Sequence, residues 1–123
     1  MIAFVWVMLG GALGSALRFG VGRIIPFSSS SFPWATLCVN LIGSLFIGLL
    51  AGYVHKRGPD AESLRWFLMS GFCGGFTTFS AFSLETLSLI QLEKWSLAIT
   101  YVLVSVLLGI GATWIGWTLL RAQ

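Results

Sequence analysis

The chain has 123 residues, of which 57% are apolar and only 9% charged, with a formal net charge of +3 and a mean hydropathy of +0.93. Soluble domains carry charge on roughly a quarter of their residues, and seven basic plus four acidic side chains cannot give a core of this size a wettable surface. A soluble enzyme is therefore excluded, and so is a nucleic-acid-binding domain, which would need a basic groove.

A helix needs about 20 apolar residues to cross a bilayer, so four crossings use about 80 residues and leave about 40 for ends and loops. Barrel strands would alternate apolar and polar in units of about ten residues; the runs here are longer and do not alternate. The pattern predicts an all-α membrane protein, a single integral domain over residues 1–123 with four transmembrane helices. The first span, about 2–21, starts without a basic segment and is interrupted only by Arg18, so it reads as a true span rather than a cleaved signal. Phe27–Pro33, with four serines and a proline, is a loop. The second span covers about 34–53 and gives way to the polar run His55-Lys56-Arg57-Gly58-Pro59-Asp60. The third, about 63–92, is too long for one plain crossing. Its centre holds Gly71, Gly74 and Gly75, poor helix formers that predict a break near 74–78, in mid-membrane. The fourth covers about 95–120, and Trp34, Trp66 and Trp95 mark span starts where indole suits the headgroup region.

Charge says little about orientation. Lys56, Arg57, Arg65 and Arg121 fall on one side and Arg18, Arg23 and Lys94 on the other. So even a balance is compatible with insertion both ways up, which permits an antiparallel dual-topology homodimer.

Polar side chains inside a membrane are costly and point to function. Asn40, Ser44, Gly48 and Gly52 form one stripe of the second span. Its small residues suit close helix packing, whereas the Asn40 amide either lines a pathway or bonds a neighbouring helix. Arg18 either snorkels to the interface or draws anions to a vestibule. In the third span, Thr77, Thr78, Ser80 and Ser83 follow the glycines, and a broken helix there frees backbone carbonyls that can hold a hard cation such as sodium. Phe79 and Phe82 share a helical face, and their positive ring edges can meet a partly dehydrated anion. Glu85 is the one carboxylate inside any span. Tyr101 and Ser105 put two hydroxyls on one face of the fourth span, with Gly109 continuing the stripe. Cys38 and Cys73 have no metal-ligand spacing, and His55 reads as a solitary loop residue. No nucleophile–base–acid set or phosphate loop stands out, so the expected role is permeation and not catalysis.

Three segments together resemble the small fluoride channels known as the CrcB or Fluc family: Gly10-Gly11-Ala12-Leu13-Gly14-Ser15-Ala16-Leu17-Arg18, Thr36-Leu37-Cys38-Val39-Asn40-Leu41-Ile42-Gly43-Ser44, and Gly71-Phe72-Cys73-Gly74-Gly75-Phe76-Thr77-Thr78-Phe79-Ser80-Ala81-Phe82-Ser83. The resemblance implies an antiparallel homodimer in a prokaryotic inner membrane, with two fluoride pores flanking a central structural sodium ion. It assigns the sodium to the Gly74 and Thr77 carbonyls, ring edges to Phe79 and Phe82, and the pore amide to Asn40. Arg18 matches the vestibule arginine; Thr36, Tyr101 and Ser105 match a hydroxyl track, with Glu85 and Ser80 beside it. Ala81 departs from the threonine common between the two phenylalanines, and Gly109 from the serine with which some members extend the track. The alternative is a small proton-coupled multidrug or guanidinium exporter, which would use a first-span carboxylate that is missing between Met1 and Phe32.

Overall fold

The computed structural model describes residues 1–28 and 31–121, all helix, turn and short connection. Four helical stretches are long and apolar enough to cross a membrane. Helix α1 is Ile2–Ile24 and α2 is Trp34–Arg57. The third stretch, Glu62–Gln91, is composite: one turn at Glu62–Leu64, a π-helix at Arg65–Cys73, a turn at Gly74–Phe76, then α3 at Phe79–Gln91. Helix α4 is Trp95–Arg121. Of the predicted serine loop, Ser29 and Ser30 lie outside the described residues.

Two expectations need correction. Helix α2 runs on through His55, Lys56 and Arg57 and stops at Gly58, whose φ of 60° favours glycine. His55 is thus on a helix, because the Lys56 and Arg57 cations beside it suit a last turn, where unpaired carbonyls carry partial negative charge. Helix α1 likewise continues past 21 to Ile24. Within the range 74–78, Gly74 and Gly75 stay in a helical turn, and it is Thr77 (φ −78°, ψ 158°) and Thr78 (φ −149°, ψ 117°) that are extended.

Gly71 and Gly75 serve close approach instead. A Cβ on Gly71 would lie 2.8 Å from the Val7 carbonyl oxygen and 3.0 Å from the Gly10 Cα, so α1 and the π-helix meet backbone to backbone. Phe67, Gly71 and Gly75, spaced four apart, come in turn against α1. Helices α2 and α4 meet in the same manner: at Gly48 a Cβ would lie 3.0 Å from the Thr113 Cα, and at Gly52 2.7 Å from the Trp117 carbonyl oxygen.

The interior is small. Leu37, Leu89, Ala98 and Tyr101 are buried between α2, α3 and α4, with Phe32, Leu41 and Phe82 packed against them. Large apolar side chains such as Phe4, Leu107 and Ile110 face outward. That outer surface fits hydrocarbon as its solvent and would be a liability in water.

Candidate functional site

Three sets of contacts converge around the extended pair Thr77–Thr78. The first is a two-point clip. Asn40 Oδ1 accepts from the Thr78 backbone N–H at 2.8 Å, and Asn40 Nδ2 donates to the Thr78 carbonyl at 3.1 Å. Both polar ends of the amide are engaged, yet Nδ2 retains a second N–H.

The second set caps the helices on either side. The Thr78 hydroxyl accepts from the Ala81 N–H at 3.1 Å, an N-cap for α3, and lies 3.2 Å from the Ser80 hydroxyl. The Thr77 N–H and hydroxyl both donate to the Cys73 carbonyl. In an uninterrupted helix, the Thr78 N–H would serve Gly74 and the Ala81 N–H would serve Thr77. Here one goes to Asn40 and the other to the Thr78 hydroxyl, so the Gly74 and Thr77 carbonyls lose their helical donors. The next carbonyl, that of Gly75, is claimed by Arg18 Nε at 3.0 Å and by the Ser15 hydroxyl at 3.4 Å. Gly74, Thr77, Asn40, Ser44 and Phe79 line one cavity of about 410 Å³.

The third set centres on Glu85. Thr36 Oγ1 donates to Oε1 and Tyr101 Oη to Oε2, each at 2.7 Å. Tyr101 is wholly buried, and its ring lies 5.1 Å from that of Phe82, which is 5.4 Å from Phe79. Phe79 itself is 79% exposed. A buried hydroxyl that keeps its hydrogen bond stabilises the fold, though less between membrane helices than elsewhere. Tyr101→Phe should therefore lower stability by about 1–2 kcal/mol, read as a fall in the thermal midpoint in detergent; an unchanged midpoint would mean the bond contributes nothing.

Thr36, Glu85, Tyr101, Phe82 and Phe79 are thus brought together, as are Asn40, Gly74 and Thr77. Arg18 neither points freely to the interface nor stands clear of the fold, since its Nε anchors the Gly75 carbonyl. Ser105 stands apart from the Glu85 group. Its Oγ is buried without a partner among the described residues, and it lines a separate cavity of about 590 Å³ with Ser44, Gly109 and Thr113. Cys38 and Cys73 are free thiols, and the described residues contain no group of His, Cys, Asp and Glu able to hold a metal.

Sequence reasoning passed over Thr78 as a site residue and Thr113 altogether. Thr113 Oγ1 ties α4 to the Ser44 carbonyl at 3.0 Å. The signal for Thr78 was present, as a threonine three residues ahead of Ala81 at the start of an apolar helix is an N-cap pattern.

The family model described as CrcB-like protein, Camphor Resistance (CrcB) matches residues 5–117. The fluoride-specific ion channel FluC of Flavobacterium psychrophilum is 44% identical over 112 residues, 90% of each chain. That of Novosphingobium aromaticivorans is 44% identical over 124 residues, 98% of each chain. That of Helicobacter acinonychis is 42% identical over 123 residues, 98% of this chain and 96% of the relative. The three motifs that suggested the resemblance all lie within the matched residues, and the chain belongs to the CrcB family.

Proposed function

We propose that the chain is a fluoride-selective channel in the inner membrane of a prokaryotic cell, letting fluoride leave passively down its own gradient and lowering cytoplasmic fluoride. The observation that carries this reading is the line of donors and ring edges at Asn40, Thr36, Tyr101, Phe79 and Phe82 inside a bundle with a lipid-suited exterior. The names of the relatives support the choice of ion.

Fluoride is small, strongly hydrated and a strong hydrogen-bond acceptor. A pore that passes it must replace water with protein donors, none of which holds it too tightly. The spare Asn40 N–H is one such donor. The Thr36 and Tyr101 hydroxyls are two more, and an entering fluoride competes for their protons with the two Glu85 oxygens. Phe79 and Phe82 add positive ring edges. Chloride is larger and a weaker acceptor, so a tight donor line disfavours it twice over. Arg18 stands at the vestibule of this track and Ser80 borders it, while Ser105, one turn beyond Tyr101 on α4, faces the separate cavity with Ser44 and Thr113.

The working unit in this reading is an antiparallel homodimer, a second copy inserted the other way up. The near-even charge balance and the outward-facing Phe79 support it. Thr77 and Thr78 fall midway along the third stretch, Glu62–Gln91, which supports a break in mid-membrane. The Gly74 and Thr77 carbonyls, relieved of their helical donors, are the hard oxygen ligands a structural sodium ion at the dimer centre needs. Bound there, sodium would supply fixed positive charge between the two copies. A proton-coupled exporter fits less well, because both Glu85 oxygens are engaged by hydroxyls.

The test is efflux from liposomes loaded with fluoride, read with a fluoride electrode beside a chloride control. Rapid fluoride release with negligible chloride release is expected, and Phe82→Ile should cut it at least tenfold. Efflux unchanged in both Phe79→Ile and Phe82→Ile would remove the ring-edge role, and no fluoride release from folded parent protein would remove the function.

A further inference from the structure

Arg23 lies in the last turn of α1, five residues beyond Arg18. Both side chains line a single cavity of about 320 Å³, whose wall also includes Thr36, Thr78 and Glu85. Glu85 is the one carboxylate in that wall, and its two oxygens are bonded to the Thr36 and Tyr101 hydroxyls. Two guanidinium charges therefore face one carboxylate that is already engaged, and the cavity carries a net positive charge. Arg18 is half-buried and tied to the Gly75 carbonyl, while Arg23 is exposed, so Arg23 is the outer of the two.

An arginine in a last helical turn ordinarily offsets the helix dipole or snorkels to headgroups. Neither role calls for a position in the wall of a cavity shared with Thr36 and Thr78. We propose that Arg23 is a further anion-capturing residue of the anion pathway. With Arg18 it makes this cavity a collecting mouth that raises the local concentration of small anions ahead of the Thr36 donor. The proposal rests on the channel reading above. Charge lining a cleft with low-dielectric walls focuses the field and raises capture rates, and salt erases the effect.

The test is fluoride efflux of parent and Arg23→Gln proteins at low fluoride, with ionic strength set by potassium glutamate. The expected efflux of Arg23→Gln is about threefold below parent at ~10 mM ionic strength, where the Debye length is about 30 Å, and equal to parent at ~1 M, where it is about 3 Å. Arg23→Lys should behave as parent. Should Arg23→Gln fail to fold, Arg23→Cys modified after purification serves instead. A trimethylammonium-bearing methanethiosulfonate should raise efflux and a sulfonate-bearing one lower it, with parent protein treated alike to account for Cys38 and Cys73. An Arg23→Gln deficit equal at both ionic strengths would mark a merely structural role and overturn the proposal. So would efflux equal to parent at both, or adducts of either sign acting alike. A parent that passes no fluoride would overturn the channel reading, and this proposal with it.

Discussion

Asn40→Leu is expected to abolish fluoride efflux and to lower the thermal midpoint more than any other change on the donor line. Leucine has the same branched shape at Cγ, so what is lost is polar and not steric. The Thr78 N–H and carbonyl would each lose a partner now at 2.8 and 3.1 Å. A buried polar group left unpaired costs about 1–3 kcal/mol, and Thr78 is half-buried, so the pair costs about 2–4 kcal/mol. A freed Thr78 N–H also has an obvious alternative in the Gly74 carbonyl. Taking it would draw Thr77 and Thr78 into the helix and remove the carbonyls that the extended backbone exposes. Asn40→Asp separates the two effects, because a carboxylate can still accept from the Thr78 N–H but sets a second oxygen against the Thr78 carbonyl. It should melt between parent and Asn40→Leu and still conduct nothing. Scanning fluorimetry in detergent beside liposome efflux checks both; an Asn40→Leu protein that melts with parent and conducts would dispose of the clip and the pore amide together.

Gly14→Val is expected to prevent a folded bundle from accumulating, while Gly20→Ala and Gly22→Ala on the same helix are tolerated. A Cβ at Gly14 would lie 2.7 Å from the Phe76 nitrogen and 3.1 Å from the Phe72 carbonyl carbon. Those are backbone atoms, so no rotamer change relieves the clash and α1 must move off the third stretch. The bonds from Ser15 and Arg18 to the Gly75 carbonyl, made within the next turn of α1, would go with it. Overpacking costs about 1–3 kcal/mol where side chains can yield. A backbone clash costs more, against a total stability of about 5–15 kcal/mol. At Gly20 and Gly22 a Cβ meets nothing within 4 Å, so alanine should be neutral or stabilise by about 0.5–1 kcal/mol through helix propensity. Yield of monodisperse protein and the thermal midpoint decide the matter. A monodisperse Gly14→Val protein with the parent's midpoint would mean the two backbones do not touch there.

The four helices were legible in the sequence because a membrane-crossing helix announces itself by composition and length alone. Trp34 and Trp95 begin α2 and α4 where predicted, since an apolar run bounded by a loop needs no long-range information. The glycines at 71, 74 and 75 were legible as special but read for the wrong reason. Helix propensity treats a glycine as a weakness, whereas here Gly71 and Gly75 let α1 approach and the turns hold. The π winding of Arg65–Cys73 had no signal in the sequence, since hydrophobic periodicity does not separate i→i+4 from i→i+5 turns over nine residues.

Residue identity likewise marked nearly every polar group of the site, since a polar side chain stands out in hydrocarbon-suited sequence. Which partner each one takes was decided only in three dimensions. Asn40 meets Thr78 across 38 residues, Thr36 meets Glu85 across 49, and Arg18 meets Gly75 across 57. Periodicity reports which residues share a face of one helix and carries no information about the helix opposite. The bonding partners of Asn40, Arg18 and Glu85 are therefore set only by how α1, α2 and α4 pack against the third stretch. By itself the chain determined four apolar helices and the polar atoms they carry into the membrane. The tertiary structure decided that the helix opens at two threonines and not at the glycines, because Asn40 and the Thr78 hydroxyl take the amides that would have closed it.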